Sequence, residues 1–304
     1  MYVRQSTTRR TIILRRFFLT IALLAALPVT AVAASAAEPI PVVVSLLPQK
    51  YFVEAVGGDR VSVSVMVRPG HNEATYEPTP RQMTALAGAR LYFSVGVPFE
   101  RAWLPKVTAA HPNLVMVDTA RGLTLRPLEE HGHGDGDHHH EAGELDPHVW
   151  TSPPLAARMG ETIRDALSAV DPARAAAYAV DCARFVDEMQ RLDADIRAAL
   201  TGLSRRRFMV FHPSWGYFAA TYGLTQIAIE GEGKTPSARR LAALIDAARR
   251  EKVGAIFVQP QFDRRTAEAV AAEVGANVMV ADPLAADYAD NLRRVAAQLA
   301  GEMR

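Results

Sequence analysis

Beyond Pro41 the spacing of apolar residues switches repeatedly between two periods. Short β-branched runs, PVVVSLL (41–47), VSVSVMV (61–67) and RLYFSVG (90–96), are each followed by a segment with an apolar stripe, KYFVEAVGG (50–58), PRQMTALAGA (80–89) and FERAWLPKV (99–107). Strand and helix periods in alternation predict βα units and a mainly parallel sheet. The pattern returns in FMVF (208–211), TQIAI (225–229), GAIFV (254–258) and NVMVA (277–281), separated by helical stretches such as SARRLAALIDAARREK (237–252). Two α/β lobes are expected, over 38–170 and 204–304.

Between them, DPARAAAYAVDCARFVDEMQRLDADIRAAL (171–200) opens on an Asp-Pro start signal. It places Tyr178, Cys182, Phe185, Met189, Leu192, Ile196 and Leu200 at spacings of three and four, the stripe of an amphipathic helix. Thirty residues of helix would run roughly 45 Å, enough for a rigid spine over 171–203 joining the lobes. Cys182, the single cysteine, sits on this stripe, where a buried apolar role outweighs one as ligand or reactive thiol.

Length and composition fit this picture. The chain has 304 residues, 49% of them hydrophobic, ample for two cores. Residues 1–37 read as an export signal: arginines at 4, 9, 10, 15 and 16, an apolar run over 17–29, and the small-residue tail AVAASAAEP, with cleavage expected near Ala36 or Ala37. The apolar run is short for a membrane span. RRFFLT (15–20) also fits a twin-arginine signal, although general secretion explains the same residues. No cysteine stands at the cleavage point to take a lipid anchor, so the expected product is a soluble periplasmic protein. The segment holds five basic and no acidic residues, so its removal takes the formal charge from +1 to −4. Nucleic acid is not an expected partner.

Chemistry concentrates where imidazoles and carboxylates follow strands. FMVF runs into His212-Pro213, NVMVA into Asp282-Pro283, and Asp146-Pro147-His148 opens HVWTSP. Ligands of open parallel sheets gather beyond the carboxyl ends of strands, and such donors suit a first-row divalent metal. Six of the nine histidines lie in HGHGDGDHHHEAGELDPHVW (131–150). Its front part, within the loop 129–145, lacks the apolar residues to order itself by burial. His131, His133, His138, His139 and His140 read as a loop that gathers a divalent metal weakly or is merely solvated. His148 alone has a stiff Asp-Pro lead-in.

Four motifs carry a resemblance: PGHNEATYEPTPRQM (69–83), DPHVWTSP (146–153), FHPSWGYFA (211–219) and ADPLA (281–285). In this order, with a His-rich loop before DPH and a long central helix, they resemble the periplasmic metal receptors of zinc and manganese ABC importers. The resemblance implies two lobes joined by a rigid helix, a metal site in the cleft between them, and delivery to a membrane permease by a monomeric receptor. By motif, His148, His212 and Asp282 would be ligands. Manganese receptors of this kind tend to have Glu at the place of His212, so the resemblance favours Zn2+ as cargo, in keeping with imidazole chemistry. The first motif departs from the family, which has His where this chain has Ala74. His71, three residues upstream, is the expected replacement ligand, and Glu77 is the alternative as an oxygen donor or a partner to a histidine.

Three ligands and a water would also describe a catalytic zinc. The chain has no HExxH-type pair, so no enzyme is expected. Glu230 and Glu232, in the Gly-rich IEGEGK, read as solvated carboxylates that could otherwise line a cleft. An adhesin role has no exposed apolar stripe or anchor behind it. Trp150, Trp215 and Tyr217 read as cleft walls or core, Gln259 as a cleft residue outside the ligand set, and His111 as a helix end at the surface.

Overall fold

The computed structural model describes residues 38–128, 145–230 and 237–304. The expected export segment, the five loop histidines and Glu232 lie outside the described residues. Residues 39–304 form one compact unit built on two four-stranded sheets. The first pairs β1 (Ile40–Val44), β2 (Val61–Val65), β3 (Leu91–Ser94) and β4 (Val115–Asp118) in the order β2-β1-β3-β4. The second pairs β5 (Arg207–Val210), β6 (Thr225–Ala228), β7 (Ala255–Val258) and β8 (Asn277–Val280) in the order β6-β5-β7-β8. Every pairing is parallel.

The hydrophobic pattern follows from these positions. The inner strands β3 and β7 are buried along their whole length, and so read as unbroken apolar runs. The edge strand β2 alternates, as VSVSV. In each sheet the chain moves to one side of its first strand and then to the other. A switch point with an open crevice therefore lies at the carboxyl ends of β1 and β3, and another beyond β5 and β7.

Helices cover the sheets: α1 (Leu47–Gly57), α2 (Pro80–Gly88) and α3 (Pro98–Ala110) in the first lobe, and α6 (Gly216–Thr221), α7 (Ala238–Arg250), α8 (Arg265–Val274) and α9 (Tyr288–Met303) in the second. Two long helices lie between, α4 (Pro153–Val170) and α5 (Ala175–Ala199). The expected helix over 171–200 is thus shorter at its start, because Pro172–Arg174 forms a separate 3-10 turn. The 25 residues of α5 span about 37 Å. Tyr178, Cys182, Phe185, Met189, Leu192, Ile196 and Leu200 are all buried, and α5 packs on α4, on α1 of the first lobe and on α9 of the second. At Gly160 a β-carbon would stand 2.5 Å from the Phe185 ring, so glycine permits the close approach of α4 to α5. Phe52 and Phe185, 5.4 Å apart, and Tyr288, 4.9 Å from Phe52, tie α1, α5 and α9 into one aromatic cluster. One core runs through the first lobe, the spine and one face of the second sheet. A separate cluster fills the other face, under α7 and α8.

Candidate metal centre

Three segments bring donor atoms together. The first is the loop between β2 and α2. Its far end is fixed by a capping box: the Gln82 backbone N–H donates to Thr79 Oγ1 at 3.4 Å, and the Gln82 side-chain oxygen accepts from the Thr79 N–H at 2.9 Å. Within the loop, Asn72 Oδ1 accepts from the Ala74 N–H at 2.7 Å, an Asx turn that reverses the chain locally. The Glu73 carbonyl accepts from the Phe99 N–H at 3.4 Å. The result sends Glu73 inward, where it is 2% exposed, and leaves His71 on the outside.

The second segment is the Asp-Pro-His stretch. Asp146 Oδ1 accepts from the His148 backbone N–H at 2.9 Å and faces His148 Nδ1 at 2.6 Å. With Nδ1 donating to the carboxylate, Nε2 is left to face Glu73 Oε1, at 3.4 Å. Burial alone would lower the His148 pKa, but the charge and hydrogen bond of Asp146, with those of Glu73, raise it to about 9. The ring packs 5.1 Å from Trp150.

The third segment follows β5. Gln259 holds the His212 backbone from both sides: its Oε1 accepts from the N–H at 3.3 Å and its Nε2 donates to the carbonyl at 2.9 Å. The imidazole stacks on Phe262 at 5.3 Å. Its Nδ1 faces Glu230 Oε1 at 3.3 Å, and its Nε2 stands 3.7 Å from Glu73 Oε1.

Both histidines thus turn Nδ1 to a carboxylate and Nε2 to Glu73, the arrangement in which outer carboxylates fix ring orientation and strengthen imidazole as a ligand. Ligand atoms of Glu73, His148 and His212 all lie within 4.8 Å of one another, the one such group of donors among the described residues. Glu73 Oε2 is buried and has no hydrogen-bond partner, the condition of an oxygen that a cation would satisfy. Burial opposes ionisation of Glu73, but the hydrogen bond from His148 and the charges of His212 and His148 hold its pKa below the usual value. A cleft of about 430 Å³ opens on the group.

The expected residues divide. His148 and His212 come together. His71 does not join them: it is exposed, folded back on its own loop with Nδ1 3.2 Å from the Pro69 carbonyl and Nε2 3.3 Å from Arg68 Nη2. Glu77, its alternative, is also exposed. Asp282 is half-buried, and its Oδ1 accepts from the Leu284 N–H at 2.9 Å. Burial raises its pKa against that bond, and the charge of Glu73 adds to the rise. It stands outside the close donor group.

Glu73 is the residue that motif reasoning passed over. The available signal was its place immediately before Ala74. Glu230 is not solvated as its Gly-rich setting suggested but 4% exposed. The Ile229 and Glu230 N–H groups donate to the carbonyls of Val210 and Phe211 at 2.9 Å, which extends the β5–β6 ladder and carries Glu230 alongside His212. Trp215 is buried with its ring edge-on to Phe218, and Trp150 Nε1 donates to the Pro283 carbonyl at 2.8 Å.

Comparison with known proteins identifies the family and the fold. Residues 42–301 match the family model described as zinc-uptake complex component A, periplasmic (ZnuA). The chain belongs to the ZnuA family. A crystal structure of ZnuA superposes with a TM-score of 0.81 at 42% sequence identity, covering 88% of this chain and 100% of that one. A zinc-bound ZnuA with an internal deletion gives 0.79, also at 42% identity, over 87% and 98%. The zinc-binding lipoprotein AdcA of Streptococcus pneumoniae is 29% identical over 252 residues, 80% of this chain. The chain spans about half the length of such streptococcal relatives, 50% in that case. The two parallel-sheet lobes and intervening long helix expected from the sequence are those of the ZnuA fold, and the family is one of uptake components rather than enzymes.

Proposed function

We propose that this ZnuA-family chain is an extracytoplasmic zinc receptor that holds one Zn2+ between its lobes at Glu73, His148 and His212 and delivers it to the permease of an ABC importer. The observation that carries the reading is the convergence of two imidazole Nε2 atoms on a buried carboxylate that has one oxygen unpartnered. Asp146 and Glu230 orient the rings from behind. Two imidazoles and a carboxylate are a known zinc donor set, with a fourth position left for water or for a further side chain. Asp282 is the nearest candidate for that role, since it shares the field of Glu73. The zinc-bound ZnuA and the zinc-binding relatives support this cargo, and the family's periplasmic description supports export with loss of residues 1–37.

Metal analysis of the purified exported protein tests the reading. One equivalent of zinc that survives dialysis is expected, and a His148→Ala, His212→Ala double variant should lose it. Absence of stoichiometric zinc in the parent protein would overturn the assignment.

A further inference from the structure

Both histidines are referenced to the same short helix. His212 lies four residues before Gly216, where α6 begins. The stretch that carries His148, residues 146–152, lies against the same helix and is bound to it at both ends. At one end the Tyr217 hydroxyl donates to the Asp146 carbonyl at 2.9 Å and accepts from the Arg126 backbone N–H at 2.9 Å. Arg126 and Asp146 are themselves paired, the Asp146 N–H donating to the Arg126 carbonyl at 2.8 Å. At the other end Ser152 Oγ and Thr221 Oγ1 are 2.8 Å apart.

Gly216 completes the grip. A β-carbon there would stand 2.8 Å from Asp146 Oδ2, so a larger residue at the helix start would displace the carboxylate. Asp146 is 2% exposed and Tyr217 3%. The residue whose carboxylate fixes the His148 ring is therefore itself held at its backbone carbonyl by the second lobe, with the helix start close against its side chain.

We infer that α6 is an interlobe latch, with Tyr217 as the positioning residue that holds Asp146, and through it His148, in register with His212. The inference rests on the receptor reading above. Separation of the second lobe from residues 146–152 takes the Tyr217 hydroxyl from the Asp146 carbonyl and Gly216 from its carboxylate. His148 then loses its orientation relative to His212, and the metal loses a ligand. A small relative shift of the lobes is sufficient for release, because the hydrogen bonds involved tolerate only a few tenths of an ångström.

The test is the rate of zinc loss to excess chelator from the zinc-loaded full-length exported protein. Tyr217→Phe keeps the ring and removes the hydroxyl, and Tyr178→Phe serves as a control. Tyr178 is buried and donates one bond to Asp171 at 2.8 Å, away from the site. Both variants should lower the melting temperature of the metal-free protein. Tyr217→Phe alone should speed zinc release, by roughly tenfold or more as for loss of other outer-shell partners, and shift the His148 ring resonances in NMR spectra. Equal melting losses with equal, wild-type release rates would overturn the latch. If Tyr217→Phe fails to fold, Thr221→Val breaks the other end of the clasp: faster release is expected, and an unchanged rate overturns the proposal. Failure of the parent protein to hold zinc would instead remove the receptor reading.

Discussion

Replacing Glu73 by Gln is the sharpest perturbation of the site, because it keeps the volume and removes only the charge. Glu73 Oε1 stands 3.4 Å from one imidazole Nε2 and 3.7 Å from the other, and the side chain is 2% exposed. The fold has already stripped water from this carboxylate, so its attraction for a cation acts with little screening. Removing one partner from a buried charge pair costs about 3–5 kcal/mol. At 1.4 kcal/mol per decade, zinc affinity should fall by about 10²–10⁴-fold. Titration against a competing zinc chelator at pH 7 measures the change, with circular dichroism confirming that the variant is folded. A dissociation constant within threefold of wild type would refute the reasoning and remove Glu73 from the ligand set, even if His148→Ala and His212→Ala abolished binding.

His71→Ala should leave zinc affinity within about twofold in the same titration, since the His71 ring is exposed and satisfied by its own loop; a loss comparable to that of His148→Ala would restore it as the first ligand. Zinc binding should be linked to pH through His148. Its pKa of about 9 keeps a proton on the ring at pH 7 that the metal must displace, so about one proton is released and affinity rises about tenfold per pH unit from 7 towards 9. Calorimetry in buffers of different ionisation heat counts that proton, and zero release with a flat affinity profile would contradict the assignment. Glu100, a buried carboxyl in the first lobe, accepts from Gly96 N–H at 2.7 Å and from Ser45 Oγ. Burial pushes its pKa to about 7, against bonds from Ser45, Gly96 and Val95 that lower it. A carboxyl raised on folding contributes stability that is fully present below its unfolded value of 4.5 and lost as pH climbs through the folded one. The loss should amount to about 3 kcal/mol between pH 4.5 and 7.5. Denaturant unfolding should show the wild type losing this much relative to Glu100→Gln over that range, and parallel pH profiles would refute it.

The parts of the molecule legible in the sequence were those whose cause is local. Burial of β3 and β7 on both faces leaves unbroken apolar runs, and the α5 stripe repeats at helical spacing because one side of that helix is buried along its whole length. His148 and His212 could be read for a similar reason: each has proline beside it, and His212 sits at a strand end, where parallel sheets collect ligands. Glu73 has no such cause. It lies in an aperiodic loop, where side-chain direction is decided by an Asx turn at Asn72 and by a single backbone bond from Phe99. A shift of one residue there exchanges an inward side chain for an outward one without disturbing any pattern. Glu230 was hidden for a different reason, since its burial follows from a strand ladder continuing past β6 towards His212, a contact between segments distant in the chain.

These two residues change the electrostatic character of the site more than its composition suggests. With them, three buried carboxylates, Glu73, Asp146 and Glu230, face two imidazoles. Such a set is costly to assemble without compensation, because buried like charges repel and each pays a desolvation cost. In the metal-free protein a proton on His148 offsets part of that charge, which is why its pKa is raised although burial acts against it. A dication between the Nε2 atoms replaces the proton with twice the charge and also meets the unpartnered Glu73 oxygen. Under the proposed function, capture is therefore an exchange of proton for metal inside this carboxylate frame. On that reading the frame depends on the second lobe, which supplies Glu230 beside His212 and the Tyr217 hydroxyl on the Asp146 carbonyl, so metal affinity would belong to the apposed lobes together.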